Sequence, residues 1–205
     1  MINKLFLSLA IQFFFVSGCG DALAAQLQDG DIIFQTSRSA QSAAIQRATH
    51  SKYSHVGIIF YRNGAPHVFE AIKTVQYTPL KQWVARGDGG HYVVKRLRDA
   101  DRVLTPDAVA KLREAADSFR GRPYDPTFEW SDSRIYCSEL VWKIYERGVG
   151  VRVGRLQTLR DFDLSDPIVK AKMKERYGSH VPLAETVISP GAIFSFDGLT
   201  QVVEH

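Results

Sequence analysis

Cys137 is the residue best placed to do covalent chemistry. Its thiol lies in Arg134-Ile135-Tyr136-Cys137-Ser138-Glu139-Leu140-Val141-Trp142, just ahead of an apolar repeat. Leu140, Val141, Ile144 and Tyr145 recur at helical spacing, which predicts an amphipathic helix whose first turn stays near the surface and carries the thiol. The unpaired N–H groups and positive dipole end of such a helix favour an anion. They lower the pKa of a thiol and raise the fraction present as thiolate, the nucleophilic form. The competing reading is structural: free cysteine is among the most buried residue types, and Cys137 could simply pack the helix.

A nucleophilic thiol needs a base that takes its proton and later hands it to a leaving group. Of six histidines, His205 ends the chain, while His50, His91 and His180 lie in or beside polar stretches where solvation is the default. His55 differs, as an imidazole in the otherwise apolar strand pattern Ser54-His55-Val56-Gly57-Ile58-Ile59-Phe60. A structural histidine bonded to a backbone carbonyl would also fit there. The neighbouring Gly57 tips the balance toward function, because a position without a side chain lets the substrate or the cysteine helix approach closely. Glu70 is the lone carboxylate in Val68-Phe69-Glu70-Ala71, in the hairpin opposite His55. A buried carboxylate is costly unless paired, so Glu70 is the first candidate to orient the imidazole and stabilise its charged form. The alternative is a solvent-facing position on an edge strand. His67, on the other face of a regular pleat, is the second candidate for the orienting role.

The elements that must position these groups follow from local patterns. Leu27 to Phe34 reads as a turn feeding a short buried strand, Arg38 to Ala48 as a helix, and Ser54 to Phe60 as a strand. Asn63-Gly64 signals the hairpin turn into His67 to Ala71. Thr74 to Thr78 reads as another strand, Pro79 to Ala85 as a short helix capped by Gly87, and His91 to Leu97 as a half-exposed strand. Thr105 and Pro106 open a helix to Phe119. Gly121 to Arg134 is a loop into the cysteine helix, which ends near Gly148. Asp166 to Tyr177 reads as a final basic helix and Pro190 to Phe196 as a late strand. With no internal repeat, this predicts one α+β domain, an antiparallel sheet with helices gathered on one side.

Residues 1–25 have the layout of a secretory signal peptide: Lys4, an apolar core from Leu5 to Val16, and the small-residue site Ala22-Leu23-Ala24. Within it, Val16-Ser17-Gly18-Cys19 resembles a lipoprotein processing box. Cleavage after Ala24 gives a soluble periplasmic protein, and cleavage before Cys19 gives one anchored to the membrane by lipid. Either way Cys137 has no disulfide partner, and an unpaired thiol in an oxidising compartment flags a reactive role. The remaining residues, 26–205, are 180 in number and suffice for one domain, since the chain is 45% hydrophobic and 11% aromatic, enough for a core without disulfides. The net charge of +4 is far from the dense basic patch that nucleic acid requires, so nucleic acid is not an expected partner. There is no HExxH run, paired-cysteine cluster or phosphate-cradling glycine loop, and neither metal nor cofactor is expected.

Taken together, Asp29-Gly30-Asp31-Ile32-Ile33-Phe34, His55-Val56-Gly57-Ile58-Ile59, Val68-Phe69-Glu70-Ala71 and Tyr136-Cys137-Ser138-Glu139-Leu140-Val141 resemble the signature of NlpC-type papain-like cell-wall peptidases, in rotated order. The cysteine helix, first in ordinary members, comes last here, as in the YaeF/YiiX branch. The resemblance extends through Tyr77 to Trp83, Gly121-Arg122-Pro123-Tyr124-Asp125 and Lys174 to Gly178, nearly the whole of 26–205. It implies a circularly permuted papain-like fold with Cys137 as nucleophile, His55 as general base and Glu70 as third member, where many relatives have histidine. Tyr124 stands near the family's tyrosine ahead of the cysteine, and its hydroxyl becomes a candidate oxyanion donor beside the Cys137 N–H. Relatives commonly have Asp before the nucleophile. Tyr136 takes that place here, and it and Ser54 are the substrate-groove candidates. The expected activity is hydrolysis of an amide through a thioester, with peptidoglycan stem peptides or related peptides as substrate. The alternatives are a lipid acyltransferase or thioesterase with the same triad, and a peptide-binding module without turnover.

Overall fold

The fold was obtained as a computed structural model, which describes residues 27–205. The expected signal peptide, Cys19 and both cleavage positions lie outside the described residues.

Six antiparallel strands form the main sheet: β1 (Ile32–Gln35), β2 (His55–Arg62), β3 (Ala65–Ala71), β4 (Val75–Pro79), β5 (Val93–Leu97) and β8 (Leu199–Glu204), in spatial order β4-β3-β2-β1-β5-β8. Asn63 and Gly64 both adopt positive φ, 51° and 77°, the left-handed pair that a tight hairpin turn requires. The turn fixes the register Ile58↔Phe69 and Phe60↔His67, and so decides where Glu70 falls relative to His55. A two-stranded ribbon, β6 (Gln157–Thr158) with β7 (Thr186–Val187), lies apart from this sheet.

The helices are α1 (Ser42–Thr49), α2 (Leu80–Val84), α3 (Ala100–Val103), α4 (Pro106–Phe119), α5 (Cys137–Val149), α6 (Pro167–Tyr177) and α7 (Pro190–Phe194). Thr105 caps α4 through its side chain, which accepts from the Ala108 N–H at 3.3 Å, and Asp166 caps α6 in the same manner from Ile168 at 2.8 Å. Helix α5 packs on α4 and on β2, and its apolar stripe Leu140, Val141, Ile144 and Tyr145 is fully buried against Ile32, Phe34, Ile58 and Phe60.

Several expectations need correction. Pro190–Phe194 is a helix and not a strand: Ser189 accepts from the Ala192 N–H at 3.0 Å with Pro190 in the first turn, a start signal that outweighs the short apolar run, and α6 is therefore not the final helix. Helix α1 begins at Ser42, not Arg38, because local side-chain bonds hold the residues before it. The hydroxyls of Ser37 and Ser39 bond each other at 2.8 Å, and the Arg38 N–H donates to the Arg86 carbonyl at 3.3 Å. Finally, the helices are not all on one side. The face opposite α5 is covered by a second cluster in which Trp83 of α2 packs on Ile33, Ile59, Val68 and Val94. Gly87 does not cap α2, whose C-cap is Ala85; it bridges to Ser37 instead, where a Cβ would meet the Gln35 side-chain oxygen at 2.4 Å.

Candidate active site

Cys137 is the first residue of α5. The preceding Tyr136 provides no side-chain cap, so the dipole and N–H groups of the first turn are left for another acceptor. The thiol is more buried than its sequence suggested, 4% exposed, because the loop before it folds back over the helix start. The Asp125 carboxylate gathers that loop by accepting from the N–H groups of Thr127 and Glu129, at 2.8 and 2.6 Å, and from the Thr127 hydroxyl at 2.7 Å. The Ile135 N–H donates to the Pro123 carbonyl and the Tyr124 N–H to the Lys73 carbonyl. Tyr124 and Cys137 are thereby anchored on one short piece of backbone.

The imidazole of His55, the first residue of β2, lies close enough to the Cys137 side chain for the two to interact. The other side of that ring is held by Glu70: His55 Nε2 donates to Glu70 Oε2 at 2.6 Å. That commits Nε2 to the carboxylate and leaves Nδ1 for the sulfur. Glu70 is fully buried, and its second oxygen accepts from Thr78 Oγ1 at 2.6 Å and from the Arg86 guanidinium. Burial works against charge on both groups, but their contacts outweigh it. The interactions with Cys137 and Glu70 push the His55 pKa up to about 10, while His55, Arg86 and Thr78 hold the Glu70 carboxyl below its usual value. The structure therefore brings Cys137, His55 and Glu70 together. His67, the second candidate for orienting His55, is engaged in its own hairpin, with Nδ1 at 3.0 Å from the Ala65 carbonyl.

Tyr124 accepts a hydrogen bond from Gln41 Nε2 at 2.7 Å, which leaves its own O–H proton available to donate. Burial, and then the negative charge that Cys137 can carry, raise its pKa, so the phenol stays protonated. Tyr136 is 2% exposed; its hydroxyl accepts from the Ile188 N–H at 3.0 Å and its ring packs on Phe128. Ser54 is buried too, bonded to Ser42 Oγ at 2.6 Å and accepting from the Ser37 N–H at 2.9 Å. Gly57 does not serve the close approach expected of it. A Cβ there would meet Val68 Cγ1 at 2.4 Å and the Phe69 carbonyl at 2.9 Å, so it is the neighbouring strand that uses the space, not the substrate or α5.

Two hollows adjoin at Gln41 and Tyr124, and the thiol lines the first of them. This is an apolar cleft between α1, α6 and the start of α5, walled by Ala44, Phe128, Tyr136, Val169, Met173 and Ile188. The other, on the His55 side, is polar and includes Ser54 and Arg86; Gln41 and Tyr124 border both. Arg86, Thr78 and Gln41 were not singled out from the sequence. Each sits in a polar stretch with ordinary local features, and only the packing of α1, β4 and the turn after α2 brings them to the site.

Residues 26–202 match the model of the permuted papain-like amidase enzymes, the YaeF/YiiX or C92 family. The chain belongs to that family. It is 54% identical over 184 residues to a protein described as the uncharacterized protein YiiX of Escherichia coli (strain K12), a match spanning 90% of each chain. A solved structure described as metalloprotein yiiX from Escherichia coli O157:H7 superposes with a TM-score of 0.84 at 54% identity, covering 88% of this chain and 98% of that one. Membership of this amidase family makes the chain a cysteine hydrolase with a circularly permuted papain-like α+β fold.

Proposed function

We propose that the protein hydrolyses an amide through a thioester on Cys137, with His55 as the proton carrier and Glu70 as its orienting partner. The observation that carries this reading is the placement of His55 between Glu70, which it bonds at 2.6 Å, and the Cys137 thiol, at a helix start whose N-cap residue Tyr136 supplies no side-chain cap. The raised basicity of His55 favours an imidazolium beside a thiolate. The thiolate attacks the substrate carbonyl, and negative charge develops on oxygen near the Cys137 N–H and the Tyr124 hydroxyl. As the tetrahedral adduct collapses, His55 gives its proton to the departing amine. The neutral imidazole then takes a proton from water as that water attacks the thioester, releasing the acid and restoring the thiolate–imidazolium pair.

The substrate we favour is a peptide, with peptidoglycan stem peptides first, in keeping with the export signal and a periplasmic address. A second reading, acyl transfer or thioester hydrolysis on a lipid substrate, draws support from the apolar cleft that opens on the sulfur. Incubation with purified muropeptides and with phospholipid vesicles separates the two. The peptide reading expects new amino termini from the muropeptides, abolished in Cys137→Ala with the fold retained. Transfer or release of acyl groups without peptide cleavage would favour the lipid reading, and turnover of neither would favour a binding module.

The relative described as a metalloprotein raises the question of a metal here. Among the described residues no three His, Cys, Asp or Glu side chains gather as a ligand set. Both oxygens of Glu70 are already engaged by His55, Thr78 and Arg86, and a guanidinium beside the carboxylate opposes a second cation. The residues do not fit a metal at this site, and no step is routed through one.

A further inference from the structure

We propose that the polar groove on the His55 side of Cys137 is a subsite for an anionic group of the substrate, a carboxylate or a phosphate, held by Arg38, Lys73 and the side-chain amide of Gln35. The inference rests on the reading of Cys137 as an accessible nucleophile and adds a substrate class to it. Three cations, Arg38, Lys73 and Arg86, line this groove with His55, and no carboxylate does. Arg86 is occupied by Glu70, the buried carboxylate behind the groove. Arg38 and Lys73 are exposed and take part in no ion pair among the described residues; the Arg38 guanidinium donates to the Ala85 carbonyl. A concave surface with two positive charges that take part in no ion pair among the described residues concentrates an anion beside His55, the imidazole that faces the thiol.

Gln35 is the independent sign of a ligand. It ends β1, directly across from His55 in the register, so the two side chains emerge on the same face. It is 1% exposed, yet neither its amide nitrogen nor its amide oxygen has a partner among the described residues. A buried primary amide left unpaired carries a desolvation cost that is relieved when the nitrogen donates to a bound oxyanion. The groove and the apolar cleft share the Tyr124–Gln41 border, so a carbonyl over the sulfur would have an apolar wall on one side and positive charge on the other.

Alkylation tests this without a known substrate. Iodoacetate is anionic and iodoacetamide neutral, and with both the Cys137 thiolate forms the S–C bond as iodide leaves. The ratio of the two rates is measured for the protein and for free cysteine. The expected result is a ratio well above that of free cysteine, with the iodoacetate rate saturating, and a drop of about fivefold in the Arg38→Gln/Lys73→Gln variant, the scale of two partly screened charges. Lys73→Gln alone, at a side chain that makes no hydrogen bond among the described residues, should lower the ratio about twofold. It keeps the test valid if the double variant does not fold. Ratios equal in wild type and both variants would overturn the subsite, because the positive charge of His55 and of the helix start is common to all three. The iodoacetamide rate at pH 6 reports thiol activation separately: if it is no faster than free cysteine while the ratio still responds to the substitutions, the mechanism fails and the subsite stands. Protection from iodoacetate by succinate assigns a carboxylate ligand and protection by inorganic phosphate a phosphate, while protection by neither counts against the site.

Discussion

At the scale of single residues, the choice of glutamate at position 70 has a measurable consequence. A neutral partner would orient the His55 ring equally well, but a carboxylate also stabilises its charge, and together with the nearby Cys137 it carries the pKa to about 10. Because the folded value lies above the ordinary 6.5, the contribution of His55 to stability is complete below about pH 6.5 and is lost as pH rises through 10. Glu70 works in the opposite sense: its pKa is lowered, so its contribution is complete above the ordinary 4.5 and is lost as pH falls through the folded value. Both are therefore fully present only between those two ordinary values. Glu70→Gln should lower kcat/KM by about 10²-fold or more, by analogy with loss of a general-acid partner, and move the alkaline limb of the pH–rate profile down from the neighbourhood of pH 10. An alkaline limb that stays in place in this variant would assign the basicity of His55 to some other group.

At the scale of elements, the β2–β3 hairpin is the ruler that sets the spacing of His55 and Glu70. Its turn is legible in Asn63-Gly64, and its register follows from the turn and from the burial of Val68 and Phe69. Gly57 is part of the same ruler, although its sequence suggests a gap for a ligand. Gly57→Ala would press on Val68 Cγ1 and on the Phe69 carbonyl, and the carbonyl, being backbone, cannot rotate away. The expected cost is about 1–3 kcal/mol of stability, or several degrees of Tm at roughly 2–4 °C per kcal/mol for a domain of this size. Turnover should fall as well, because the strand that yields carries Glu70. An unchanged melting curve would show that the hairpin gives way without strain.

At the scale of the whole molecule, the family match covers residues 26–202, and the expected signal segment before them makes a prediction of its own. If that segment directs export and is cleaved after Ala24, intact mass spectrometry of protein recovered from the periplasm should show a chain starting at Ala25. A mass beginning at an acylated Cys19 would instead place the enzyme at a membrane surface, where the apolar cleft would face lipid more readily.

What the sequence determined by itself is what local chemistry encodes: helix starts at Thr105 and Asp166, the hairpin at Asn63-Gly64, and a cysteine at a helix mouth. It also exposed a histidine and a glutamate in segments otherwise built for burial, since a polar group in an apolar run stands out. The permuted order was readable for the same reason, because each motif is intact and only their succession changes. Where the signal was short and apolar, as at Pro190 to Phe194, strand and helix read alike until Ser189 could be seen capping a turn. Arg86, Thr78, Gln41 and the unpaired Gln35 were decided by tertiary structure alone. Their side chains are ordinary in composition, and their meaning comes from partners up to 135 residues away in the chain, the separation of Gln41 from Arg176. Short-range pattern has no term for such a distance.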